Sequence, residues 1–262
     1  MSDLDYLADL RRESVRFHEC LSNADPAAPV PSCPGWTATD LLWHLTEVQT
    51  SWGTIVRERL QTEPTRWPEQ PDVDYQGLLT GFVEASNALL QTLGETTDDV
   101  AVWTWADEQS VGFIRRRQAQ EALIHRLDAE LTVGQVGPLG SALADDGVDE
   151  ALRVMFGGYP AWAHHRSLPG AGRVIATDTG TRWDFTLGRW CGTGPTSGKT
   201  FDEPTIQVLD EPTSAEPAFT VSGSAGELDA WLWGRKAFTE PVIDGDQVAA
   251  AAFLAVIAAG IA

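Results

Sequence analysis

Apolar residues recur every three or four positions through the first half of the chain and every second position through much of the second half. That change of period is the first sign of two architectures in one sequence. Residues 4–21 carry Leu7, Leu10, Val15 and Phe17 among charges, an amphipathic helix pattern. Pro26, Pro29, Pro31 and Pro34 lie in or beside residues 27–35 and cannot continue that helix, so this segment is a loop. A second helix starts at Thr37 or Thr39, where Thr37 with Asp40 forms a capping pair. Leu41, Leu45, Val48, Trp52 and Ile55 then mark one buried face. The polar stretch 62–72 leads to a third helix at about 75–93, with Leu78, Phe82, Ala85, Leu89 and Leu93 on one side. A fourth, 113–133, follows the tryptophan-bearing loop 102–108. Four amphipathic helices with no strand signal between them predict a four-helix bundle, and the long loops before the second and fourth permit an order other than up-and-down.

Beyond residue 133 the texture changes. A glycine-containing stretch, 134–140, precedes a helix at 148–163, and from residue 170 the period is two. Segments 173–176, 183–187, 205–209 and 219–221 read as strands, with Asp178-Thr-Gly180-Thr as a hairpin turn. Helices at 225–233 and 246–261 close the chain. The expectation is a helical domain over 1–144 and a small α+β domain over 145–262. Residues 248–262 are alanine-rich and uncharged, but shorter than the roughly 20 residues of a membrane span, which points to a buried terminal helix.

Composition narrows the function classes. A formal charge of −20, from 38 acidic against 18 basic residues, repels phosphate backbones and anionic lipid, which argues against nucleic acid and membrane partners. Eleven tryptophans distributed along the chain argue against an acidic disordered tail. Cys20, Cys33 and Cys191 form neither a disulfide framework nor a paired zinc motif, and an odd count suits a reducing compartment. The opening Met-Ser-Asp-Leu-Asp-Tyr has no basic stretch followed by an apolar run. A cytoplasmic protein, monomeric or weakly dimeric, is the expectation.

Candidate chemistry sits in the fourth helix. Glu121 and His125 are four residues apart and so one turn apart on one face, flanking the stripe of Ile124, Leu127 and Leu131. Such a pair either shares an ion or is a structural surface pair. His44 lies within one turn of Leu41 and Val48 and faces inward, as a ligand or as a core histidine. Two histidines and a glutamate from facing helices make a divalent-metal site, and this set with an open fourth position is a catalytic zinc arrangement. Spacing alone does not join residues so far apart in sequence.

The segment Cys33-Pro-Gly-Trp-Thr-Ala-Thr-Asp-Leu-Leu-Trp-His44-Leu resembles the start of the second helix in the mycothiol-dependent maleylpyruvate isomerase family, whose N-terminal domain is a DinB-like bundle. Arg116-Arg-Gln-Ala-Gln-Glu121-Ala-Leu-Ile-His125-Arg-Leu-Asp128-Ala-Glu is similar to that family's fourth helix. Asp145-Asp-Gly-Val-Asp-Glu150 resembles its domain junction, and Asp229-Ala-Trp-Leu-Trp-Gly-Arg235 and Ile243-Asp-Gly-Asp246 its sterol-carrier-like C-terminal domain. The resemblance implies that His44, Glu121 and His125 are metal ligands and that Arg235 assists the site; a helix-terminal cation is the plainer reading of Arg235. Asp40, Glu47 and Asp128 each lie one turn from a ligand histidine and either orient an imidazole or are solvated charges.

The function implied is that of a mycothiol-dependent S-transferase or isomerase. Zinc or another divalent ion holds a low-molecular-weight thiol, mycothiol, as a thiolate. That thiolate then adds to a small electrophile, with Asp128 and Arg117 near the thiol or Arg117 or Arg235 on a substrate carboxylate. The alternatives are a zinc enzyme using bound water without thiol, and a non-catalytic module in which the metal staples the bundle and the C-terminal domain takes an apolar ligand. Three further features carry less. His164-His165 point in different directions on a helix and do not share an ion, Cys33 reads as a packing residue, and 192–200 has a loop spacing that misses a phosphate-binding motif at Thr193.

Overall fold

A computed structural model describes residues 4–211 and 213–259. The chain divides into two compact units, Met1–Pro138 and Leu139–Ala262. The first holds four helices, α1 (Tyr6–Ser22), α2 (Ala38–Glu58), α3 (Tyr75–Gly94) and α4 (Val111–Val133). Each start has a side-chain cap. Asp5, Thr37, Asp74 and Ser110 accept from backbone N–H groups of the first turn, and Thr37 with Asp40 closes a full capping box. Gly134, at φ +68, ends α4 in the left-handed conformation glycine tolerates.

Packing follows an order different from that of the sequence. α1 packs on α4, α4 on α2, α2 on α3 and α3 on α1, so helices adjacent in the chain from α1 to α2 are not the main partners. The long loops before α2 and α4 make this order possible, and it sets α2 beside α4. Phe17 and Phe82, with ring centroids 4.9 Å apart, sit among Leu21, Leu41, Leu45, Leu78 and Leu79 in a dry core. α4 is buried nearly all round, polar residues included: Arg117, Arg126, Asp128 and Glu130 are all buried. Its polar side chains therefore need partners inside the protein.

The second unit is an α+β fold. α5 (Ser141–Glu150) continues as one π turn over Ala151–Met155, and then β1 (His164–Ala176), β2 (Arg182–Thr193), β3 (Thr200–Val208), β4 (Phe219–Gly223), α6 (Ala225–Leu232), β5 (Val242–Gly245) and α7 (Gln247–Ala258) follow. The sheet order is β3-β2-β1-β4-β5, antiparallel except for the β1–β4 pair. The expected helix at 148–163 instead begins at Ser141 and stops before Gly157, Gly158 and Pro160, which do not sustain it. His164 and His165 lie on a strand, where neighbours point to opposite faces. The first strand, expected over 173–176, instead begins at His164, and β1 runs through Pro169 and Gly170 by shifting register between Ser167 and Ala171, as a strand does around a residue with no N–H to donate. β5 has no alternation to announce it, and residues 192–200 form a hairpin from β2 to β3.

α7 is buried along one stripe only, Ala250, Phe253 and Val256, while Val248 and Leu254 are exposed. The residues expected in this helix beyond 259 lie outside those described. Phe253 wedges between Phe185 and Phe219, at 4.7 and 5.8 Å between centroids. Opposite them Gly172 is a spatial necessity, because a Cβ there meets Phe185 Cζ at 2.4 Å and Phe219 Cζ at 2.5 Å. With Phe253 blocking retreat, Gly172→Ala is expected to cost about 1–3 kcal/mol of stability, read as a lowered thermal midpoint. Among the described residues no helix is long and apolar enough to cross a membrane.

Candidate metal centre

His44 comes from the second turn of α2, and Glu121 and His125 come from adjacent turns of α4. Glu121 Oε1 lies 3.3 Å from His44 Nε2 and 3.2 Å from His125 Nε2. One donor atom from each of the three fits within 4.8 Å of the others, the two imidazoles meeting edge-on at 4.7 Å between centroids. Two donors bound to zinc at the tetrahedral angle stand about 3.3 Å apart. The carboxylate-to-histidine spacings match that value, and the donor types suit the ion, so this set fits a zinc-like divalent metal.

Neighbouring side chains hold each ligand. Arg117, only 4 % exposed, donates from Nη2 to Glu121 Oε2 at 3.1 Å, leaving Oε1 to face the histidines. His125 Nδ1 stands 2.9 Å from Asp128 Oδ2, three residues along α4. An ionised carboxylate only accepts, so Nδ1 carries the hydrogen and Nε2 faces the donor set. Asp128 thus bears on the imidazole as one of the orienting carboxylates considered from sequence. Asp40 is occupied elsewhere: it closes the Thr37 capping box, whose hydrogen bonds hold its pKa below the usual range. Trp36, just before α2, lies over both imidazoles, 4.9 Å from His44 and 6.5 Å from His125 between centroids. Sequence spacing carries no sign of this, since a tryptophan in a proline-rich loop has no periodicity to read.

Arg235 lies in the second unit just after α6. Its backbone N–H donates to Ala230 and its Nη1 to the Trp233 carbonyl at 2.6 Å, the position of a cation at the carbonyl end of a helix.

The electrostatics are those of a coupled site. Burial pushes the Glu121 carboxyl up, but hydrogen bonds from His125 and His44 and the Arg117 charge outweigh it and hold it well below the ordinary range. Burial pushes His125 down, but Asp128 and Glu121 outweigh it and raise the imidazole from 6.5 to about 9. Without metal the His125 imidazolium therefore contributes stability in full below pH 6.5, lost as pH rises through about 9. A metal ion must displace that proton. Apparent metal affinity is expected to climb about tenfold per pH unit between those limits and to level off above them, as measured with a competing chelator.

The model of the mycothiol maleylpyruvate isomerase N-terminal domain matches residues 7–130. The match lies within the first unit and takes in just under half of the chain. The family match spans α1 to α3 and most of α4, and so contains all three candidate ligands. Two solved structures share the fold across both units. The mycothiol-dependent maleylpyruvate isomerase is 14% identical at a TM-score of 0.58, with 92% of each chain covered. A histidine-to-alanine mutant of that enzyme is 15% identical at 0.56, covering 91% of this chain and 95% of its own. At these identities the likeness is one of fold. No curated protein matches the sequence significantly.

Proposed function

We propose that this protein is a metal-dependent enzyme that uses a low-molecular-weight thiol, mycothiol by its family, to isomerise or thiolate a small electrophile. The observation that carries the reading is the convergence of His44, Glu121 and His125, from two helices, at spacings a divalent ion requires. A zinc ion held by His44, Glu121 and His125 would lower the pKa of a coordinating thiol, so that its proton is lost to solvent at neutral pH. The chain's residues set the conditions for that chemistry. Two neutral imidazoles and one carboxylate offset half the charge of a dication, so an anionic sulfur is still favoured at a fourth position. Arg117 fixes the Glu121 oxygen that faces the histidines and adds a buried positive charge one turn away. Trp36 packs beside both imidazoles.

A thiolate delivered in this way adds to an activated carbon–carbon double bond, forming a C–S bond as the π electrons move to the activating carbonyl. Rotation and expulsion of the thiolate give the isomer, whereas displacement of a leaving group gives S-transfer. Protein purified without chelator is expected to hold about one metal per chain by elemental analysis, and mycothiol is expected to raise its melting temperature only when metal is present. Absence of metal after growth in zinc-replete medium, or turnover that proceeds without thiol, overturns the reading.

A further inference from the structure

The carboxylate behind His125 is itself held by a turn that the ligand set does not use. Asp128 is fully buried, and both its oxygens receive donors from the loop between α1 and α2. Ser32 Oγ donates to Oδ1 at 2.5 Å, and Cys33 Sγ reaches Oδ2 at 3.6 Å, on the oxygen that also faces His125 Nδ1. The loop is pinned in turn by its own backbone. Val30 N–H donates to the Trp36 carbonyl, Cys33 N–H to Val30 and Trp36 N–H to Cys33, with Gly35 at φ +88 making the bend. One short turn therefore touches both imidazoles, His125 through Ser32 and Asp128, and both rings through Trp36.

An aspartate can orient a metal-ligating imidazole only if its own carboxylate is prevented from rotating. Helical spacing fixes the backbone of Asp128 relative to His125 but leaves its side-chain torsions free. The short hydrogen bond from Ser32 removes that freedom. We propose that Ser32 is a positioning residue of the metal centre, acting through Asp128 to hold His125 with its Nε2 lone pair aimed at the ion; this rests on the metal-site reading above.

The test uses the full chain loaded with zinc or, as a spectroscopic probe, cobalt. Ser32→Ala is expected to weaken metal affinity about tenfold and to shift the cobalt visible bands, because the His125 ring is no longer held. Ser32→Thr, which keeps the hydroxyl, is expected to restore affinity and spectrum. Asp128→Asn, nearly the same shape, is expected to weaken affinity in the same direction, which keeps the proposal open to test even if Ser32→Ala folds poorly. If the wild type holds metal while either Ser32→Ala or Asp128→Asn binds it as tightly with an unchanged cobalt spectrum, the inference is overturned and the contact is structural. A wild type that holds no metal overturns the site reading first, and this inference with it.

Discussion

His44→Ala is expected to weaken metal binding by about 10²–10³-fold while leaving the metal-free fold close to wild-type stability. Binding energies of roughly 10–16 kcal/mol at four-donor zinc sites make each donor worth about 2.5–4 kcal/mol. The His44 side chain is 31 % exposed, so its removal opens no sealed cavity and abandons no fully buried partner. His125→Ala is expected to lose metal to a similar degree and to lose stability as well. His125 is only 8 % exposed and stands between Glu121 and the fully buried Asp128, so truncation leaves two carboxylates facing each other with no imidazolium between them. Chelator competition gives the affinities, and urea denaturation of the metal-free proteins separates the variants. Equal metal affinity in His44→Ala and wild type sinks the three-ligand assignment.

The second large effect lies at the residue next to His125 on the same helix. Arg126, 6 % exposed, donates to Glu13 Oε2 and Glu130 Oε2, both at 2.8 Å. Glu130 also accepts from Arg16 at 2.9 Å and from the Gly137 N–H. Arg126→Met leaves two buried carboxylates without their shared cation, at an expected cost of about 3–5 kcal/mol at neutral pH. For Glu130, burial raises the pKa but the Gly137 N–H, Arg16 and Arg126 outweigh it and lower it, so its contribution is present above its ordinary 4.5 and lost as pH falls below that. The difference between wild type and Arg126→Met is accordingly expected to shrink in acid, as the abandoned carboxylates protonate. Urea titrations at pH 7 and pH 4 measure both; an undiminished difference at pH 4 argues that the loss is one of packing. Since Arg126 follows His125 directly, this ion network also fixes α4 against α1, and with it the helix that presents two of the three ligands.

Local signals were strong where a single helix or turn decides the outcome. Thr37 with Asp40 announced the α2 start and Asp178-Thr-Gly180-Thr the β1–β2 turn, because capping and positive φ depend on neighbours in the chain. Signals failed where distant contacts override them. β1 crosses a Pro-Gly pair because β2 pairs with it both before and after that pair, and β5 exists only as the partner of β4. α5 packs on α6 within the second unit, a preference invisible in its ten residues.

The same distinction runs through the metal centre. Helical period alone determined that Glu121, His125 and Asp128 share a face of α4 and that His44 points inward from α2, since those relations are fixed within one helix by 3.6 residues per turn. Family resemblance joined His44 to the pair. What brings the donors together is the packing order of the bundle, which places α2 against α4 although they are not consecutive, and which stems from the summed burial of every helix face. The supporting turn of Ser32, Cys33 and Trp36 was likewise decided only in three dimensions: its residues meet Asp128 and His125 across about ninety positions of chain, a separation over which sequence spacing carries no geometric information.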